Sequence, residues 1–289
     1  MVFVILDLEW NSAKDYDKNK HVNEIIEIGA VKATDKLDIT DTFESFVCPT
    51  LSTEITKYVT ELTKLTFDDL INSPLFCDVF EKFQEWLPKE DFVLLTWSTT
   101  DILVLIEDYK FYLNAESIPF LTHFCNMQAY VQNKLNYQKS QLGLNTAAIM
   151  LDLLDAEENS HRALDDSLLA LEVLKKVYEN DLDPYIQKTD MDFFENFTAK
   201  TFLISDISDK RINKRTMRCS CPICKTPAKR YNNWKYKTPF FSALFVCSNC
   251  SHKFFCRMQF SVKRGNLSVK RRYQSIIQNT NQKAKEMRK

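Results

Sequence analysis

Glycine is scarce in this sequence, with three residues in 289. That excludes a glycine-rich loop cradling phosphate on bare backbone N–H groups, so phosphate chemistry here must rest on metal ions and cationic side chains. No run of 18 apolar residues occurs, so no transmembrane helix is expected. The apolar run that begins the chain soon meets Asp7 and Glu9, and is too short and too acidic for a signal peptide. Without such a signal, nine cysteines argue for a reducing, cytoplasmic setting and for metal binding over disulfides. Acidic residues are almost missing from the C-terminal part. Lys210 to Lys289 carries 21 Lys and Arg and one acid, Glu286, giving +20. The preceding 209 residues hold 17 basic and 38 acidic side chains, so the overall charge of −1 conceals a sharp split. So basic a block seeks an anionic partner, most simply nucleic-acid phosphate; docking on its acidic neighbour and a merely solvated tail are the bland alternatives.

What is present begins with Phe3-Val4-Ile5-Leu6-Asp7-Leu8-Glu9-Trp10. This is an apolar strand ending in a D-x-E pair, and alternation puts Asp7 and Glu9 on one face. Two carboxylates held so close are costly to bury unless a cation sits between them, and Mg²⁺ or Mn²⁺ suits carboxylate oxygen. Far along the chain, His161-Arg162-Ala163-Leu164-Asp165-Asp166 offers a histidine able to take a proton from water at neutral pH. Between them, Phe92 to Ser98 reads as a buried strand. Ser98, Thr99 and Thr100 can cap the next helix, with Asp101 in its first turn. Each piece alone has an ordinary reading: a strand end entering solvent, an acid complementing a helix dipole, a surface histidine. Helical periodicity does not choose between Asp165 and Asp166.

Taken together, Asp7, Glu9, Asp101 after Trp97-Ser98, and His161 with Asp166 resemble the DEDDh 3′–5′ exonucleases, closest to the Eri-1-like branch of the RNase T/DnaQ superfamily. Glu24 to Val31, Thr60-Glu61-Leu62-Thr63 and Leu142-Gly143-Leu144 match as well. The resemblance covers roughly the first 180 residues. It implies that Asp7, Glu9, Asp101 and Asp166 hold two Mg²⁺ or Mn²⁺ ions and that His161 is the general base. Its spacing selects Asp166 and leaves Asp165 as a solvated or supporting acid. It also implies contact of Leu62 and Thr63 with the terminal nucleotide, against the plain reading of Leu62 as a core residue.

The hydrophobic content of 45% supports one sizeable domain plus a smaller one. Residues 2–10, 24–33 and 41–48 read as an antiparallel meander, and 54–71 as helical with a turn near 64–66. Helices are expected at 75–87, 99–113, 123–134, 142–153 and 162–179, and strands at 92–98 and near 118–121. The order gives an α/β fold: an RNase H-like mixed sheet flanked by helices, as the resemblance implies, with a small C-terminal β-rich zinc-binding domain. The expected divisions are an exonuclease domain at 1–180, a packed connector at 181–209 with a short strand near 201–204, and a basic zinc-ribbon-like domain and tail at 210–289.

Cys221-Pro-Ile-Cys224 and Cys247-Ser-Asn-Cys250 are two C-x2-C pairs, suited to one structural Zn²⁺. Cys219, Cys256 and His252 lie close enough in sequence to replace a ligand. Cys48, Cys77 and Cys125 sit among apolar residues and read as core thiols. Trp234 interleaves with Lys229, Arg230 and Lys235, which suits base stacking and phosphate contact, or the filling of a small core. Phe240, Phe241 and Phe245 read as core. The nuclease–zinc order resembles that of metazoan cell-death-related DEDDh nucleases.

The functional expectation is a metal-dependent 3′–5′ exonuclease that hydrolyses single-stranded RNA or DNA to nucleoside 5′-monophosphates. A non-catalytic nucleic-acid-binding adaptor on a nuclease scaffold is the alternative. A small-phosphoester hydrolase is disfavoured by the basic block. RNA-versus-DNA preference and oligomeric state stay open, a homodimer included.

Overall fold

The computed structural model describes residues 1–15, 20–138, 141–154 and 161–276, and resolves the chain into two units, Met1–Thr198 and Ala199–Lys289. The division falls inside the stretch 181–209. The basic tail beyond Ile276 lies outside the described residues.

The first unit is built on a six-stranded mixed sheet. Its strands are β1 (Val2–Asp15), β2 (Lys20–Ala33), β3 (Ile39–Phe46), β4 (Phe92–Thr96), β5 (His123–Asn126) and β6 (Ile186–Lys188). They lie in the order β3-β2-β1-β4-β5-β6. β1 to β3 form an antiparallel meander, while β4 runs parallel to β1 and β5 parallel to β4. Alternation along β1 supplies both layers of the core. Val4, Leu6 and Leu8 enter one cluster with α3 (Phe76–Trp86) and α4 (Thr99–Leu113). Phe3 and Ile5 enter the opposite cluster with α5 (Met127–Lys134), α6 (Leu144–Met150) and α7 (Ala163–Val177). Asp7 and Glu9 continue the Phe3/Ile5 series, so the acids point to the α7 side.

The central strand β4 is buried at every position, as a run covered on both faces must be. The remaining helices are α1 (Lys57–Thr63), α2 (Phe67–Leu70) and α8 (Met191–Thr198). Lys64, in the left-handed region, ends α1, so the helical stretch expected at 54–71 breaks at the expected turn near 64–66 into two short helices. No strand forms at 118–121. The added strand is β5, where His123-Phe124-Cys125-Asn126 pairs with Val93 to Thr96. Pro119 lacks the N–H that a ladder requires. Cys125 is buried as expected, but Cys77 is exposed on α3.

The second unit is a β-sheet of β7 (Thr201–Leu203), β8 (Cys219–Ser220), β9 (Pro227–Arg230), β10 (Lys235–Lys237), β11 (Phe240–Cys247), β12 (Lys253–Lys263) and β13 (Asn266–Ser275). Its main path is β13-β12-β11-β9-β8, with β10 on β11 and β7 on β12. One face is the core, with Phe241, Phe245, Phe254, Met258 and Phe260 buried. No helix of the described residues is long and apolar enough to cross a membrane.

Candidate active site

The parallel pairing of β1 with β4 stops at Leu6 and Thr96. Asp7 and Glu9 therefore project where the two strands part. β4 then ends, and Ser98 caps α4 by accepting from the Thr100 N–H at 3.0 Å. That start sets Asp101 in the first helical turn, buried and facing the same gap.

The fourth carboxylate arrives with α7, and glycine explains how it comes so near. A Cβ built on Gly29 of β2 would lie 2.1 Å from the backbone of Ala163 and of Leu164. Only a bare Cα lets the first turn of α7 rest on the strand. Ser167 Oγ donates to the Gly29 carbonyl at 2.9 Å and locks the contact. Asp166 is thereby buried beside the β1 acids, whereas Asp165 is exposed.

A cavity of 660 Å³ receives Asp7, Glu9, Asp101, Asp166 and His161 together. Ligand atoms of Glu9, His161 and Asp166 all lie within 4.8 Å of one another. His161 Nδ1 faces Asp166 Oδ2 at 3.6 Å. Burial first, and mutual repulsion second, hold the carboxyls far above their ordinary range. Glu9 is pushed up to about 8 by burial, then by Asp166 and Glu27. Asp101 rises to about 7 and Asp166 to about 6, both chiefly through burial. Asp7 is raised well above its usual value by burial, then by Asp101 and Asp166. Such a cluster is short of positive charge, and a divalent cation on oxygen ligands relieves both penalties.

The rim comes from a bulge. Glu9 pairs with Glu27 but Trp10 pairs with Ile25, which leaves Ile26 as an extra residue in β2. Ile26 packs with Val59 of α1, Leu65 and Leu70, and so seats α1 at the cavity. Leu62 and Thr63 both line the cavity. Leu62 is half-buried, and Thr63 is buried, its hydroxyl donating to the Val59 carbonyl at 2.9 Å. Gly143 and Leu144 form part of the wall.

Arg162 was not anticipated. Its guanidinium reaches the fully buried Glu27 at 2.8 Å and Glu44 at 3.3 Å, tying the residue after His161 to β2 and β3. Its adjacency to His161 was the available signal, but a local string cannot show a partner 135 positions away.

In the second unit Cys221, Cys224, Cys247 and Cys250 converge. Three sulfur separations are 3.6, 3.4 and 3.5 Å. A tetrahedral zinc with bonds of about 2.3 Å spaces its sulfurs by about 3.8 Å, so the thiolates fit the ion. None of the substitute ligands joins them. Cys219 and Cys256 are buried against each other at 2.8 Å, and His252 stacks on Phe254. Trp234 packs edge-on against Phe245 and contributes to the core, while Lys229 and Arg230 are exposed on β9.

Comparison with known proteins gives one family. The RNase T exonuclease profile matches residues 4–174. A probable 3′–5′ exonuclease, KapD, of Bacillus subtilis is 28% identical over 187 residues, covering 64% of this chain and 87% of its own. Human 3′–5′ exoribonuclease 1 is 28% identical over 172 residues, 56% of this chain, which spans about half (48%) of that protein. The fold is shared with the nuclease domain of 3′hExo, a DEDDh family member solved with rAMP. That likeness has a TM-score of 0.55 at 22% identity, over 65% of this chain and 96% of that one. Cell-death related nuclease 4 aligns with a TM-score of 0.50 at 20% identity, over 72% of this chain and 69% of that one.

Proposed function

The chain belongs to the RNase T exonuclease family, and from that premise we propose that it removes nucleotides one at a time from the 3′ end of single-stranded RNA or DNA. The products are nucleoside 5′-monophosphates. The observation that carries this reading is the meeting of four carboxylates and one imidazole in one cavity, delivered by β1, α4 and the start of α7. Asp7, Glu9, Asp101 and Asp166 are the groups to hold two Mg²⁺ or Mn²⁺ ions, which supply charge neutralisation at the phosphate and the leaving oxygen. His161 takes the proton of the attacking water. Its Nδ1 faces Asp166, so Nε2 is the nitrogen left for that proton. Water oxygen bonds to phosphorus, the bond to the 3′ oxygen of the penultimate nucleotide breaks, and that oxygen leaves as an alkoxide that takes a proton from solvent, while His161 returns the proton it took to solvent. Leu62 and Thr63 border the terminal nucleotide. The raised carboxyl pKa values mean that the site exchanges protons for cations as it loads.

In this reading the basic unit, held by one zinc on the four cysteines, grips the strand upstream through cations such as Lys229 and Arg230. Trp234 serves it mainly as core. The test is stepwise shortening of 5′-labelled RNA and DNA oligonucleotides with Mg²⁺ or Mn²⁺, with the released nucleotides identified by chromatography. Asp7→Ala should abolish release while the circular dichroism spectrum is kept. Activity surviving in that variant removes the metal assignment. An intact chain that binds strands without cutting them favours the adaptor reading.

A further inference from the structure

The second unit has an open sheet face, and the register shows what occupies it. Residues directly opposite in an antiparallel pair share a face. In β12 the residues Phe254, Cys256, Met258 and Phe260 are buried, so Phe255 and Arg257 look outward. Arg257 is paired with Arg272, and Gln259 with Lys270, on β13. Arg257 is also paired with Ser242 of β11, which places Phe240, two residues earlier, on the same open face with its partner Lys237 of β10. Phe240, expected in the core, is thus on the other side of the sheet from Phe241 and Phe245. It is buried under guanidinium groups: Arg257 lies 4.7 Å and Arg272 5.4 Å from its ring centre. Beside them Lys237, Phe240, Phe255 and Arg257 line a depression of 240 Å³.

Two like charges placed opposite each other oppose strand pairing. Residues 210–276 contain no Asp or Glu, and Asp209, which precedes them, is taken up by Arg211. Arg271 differs from its neighbours. It pairs with Met258, and its guanidinium donates to the Thr216 carbonyl at 2.5 Å. Stacked guanidiniums keep their N–H edges for phosphate, and the partly exposed Phe255 ring offers a π-face to a base. A shallow, extended sheet suits a strand better than a compact ligand.

We propose that this open face, centred on Arg257, Arg272, Phe240 and Phe255 with Lys237 and Lys270 at its margins, is a binding track for single-stranded nucleic acid. It rests on the reading of the chain as a nuclease and names where the strand runs in the second unit.

The test uses the full chain. Binding of a labelled 30-nucleotide strand is measured in an Asp7→Asn background across a salt series, and hydrolysis of a 5-nucleotide strand in the unsubstituted background. Arg257→Ala/Arg272→Ala should lower the log–log salt slope by about 1.4, two phosphates at about 0.7 each. Phe255→Ala should weaken binding about fivefold or more, the lower end for a stacked base. Lys214→Ala/Arg215→Ala removes equal charge outside the sheet and should change the slope less. The track is overturned if the sheet variants bind like their parent, if the off-sheet pair loses as much, or if polyglutamate of equal charge competes as well as the strand. Absence of short-strand hydrolysis in the intact chain would instead defeat the nuclease reading, whatever the binding results.

Discussion

Removing divalent cations should make the first unit less stable as pH rises, the reverse of what paired carboxylates usually do. Asp101 is the clearest case, being 5% exposed and raised to about 7. Unfolded, an aspartate titrates near 4. Between those values the folded state holds a proton that the unfolded chain has released, so unfolding free energy falls with increasing pH. The stabilisation is complete below pH 4 and is lost through pH 7. From pH 5 to 8 the mismatch spans about two pH units at ~1.4 kcal/mol each, or roughly 3 kcal/mol for this group. In a unit of this size that is a fall in Tm of roughly 5–10 °C. The assay is thermal unfolding in Mg²⁺-free buffer, followed by tryptophan fluorescence in a Trp234→Phe background. That leaves Trp10, Trp86 and Trp97, all in the first unit, as reporters. Asp101→Asn should flatten the pH dependence, and millimolar Mg²⁺ should remove most of it in the parent. A parent whose Tm is flat or rises from pH 5 to 8 without Mg²⁺, or whose slope is unchanged by Asp101→Asn, would refute the electrostatic account of the cluster.

Gly29→Ala should destabilise the first unit by about 1–3 kcal/mol, since α7 must move off the strand. Activity should fall further than stability explains, because Asp166 moves with the helix; kcat measured well below Tm checks this. His161→Ala should slow hydrolysis by about 10²–10⁴-fold while Mg²⁺ affinity measured by calorimetry persists. If Mg²⁺ binding disappears, the imidazole is a ligand. Cys247→Ser should release zinc and unfold the second unit, seen as loss of the Trp234 signal, because metal binding and folding are one event in so small a sheet. Short-strand hydrolysis should survive that change.

Legibility differed between parts of the chain for physical reasons. The acids could be read because strand alternation and a helix first turn are local rules, so Asp7, Glu9 and Asp101 declare their faces from a few neighbours. Asp165 and Asp166 could not be separated that way. The choice is made by Gly29, far away in β2, which decides which side of α7 meets the sheet. Residues 118–121 misled because apolar character signals burial but not pairing, and Pro119 cannot donate to a ladder. The bulge at Ile26 was invisible for a similar reason. It is a property of two strands in register, and neither strand alone carries it. In the second unit the cysteine spacing was plain, but the sides of the sheet were not. The run Phe240-Phe241 looks uniformly apolar, and only pairing separates its members.

The two-sidedness of β12 also bears on how the small sheet finds its fold. A strand whose outward residues were serine or threonine could slide by one position against β11 at little cost, and a short sheet is prone to such errors. Here a slip would turn Arg257 and Lys263 inward among Phe245, Phe254 and Phe260 and bring Met258 out to water. A buried guanidinium without a carboxylate costs several kcal/mol, and residues 210–276 have no carboxylate to offer. The mispaired sheet is thus excluded by its own cations. Neutralising them would leave a protein that is less faithful in assembling β12, quite apart from anything it binds.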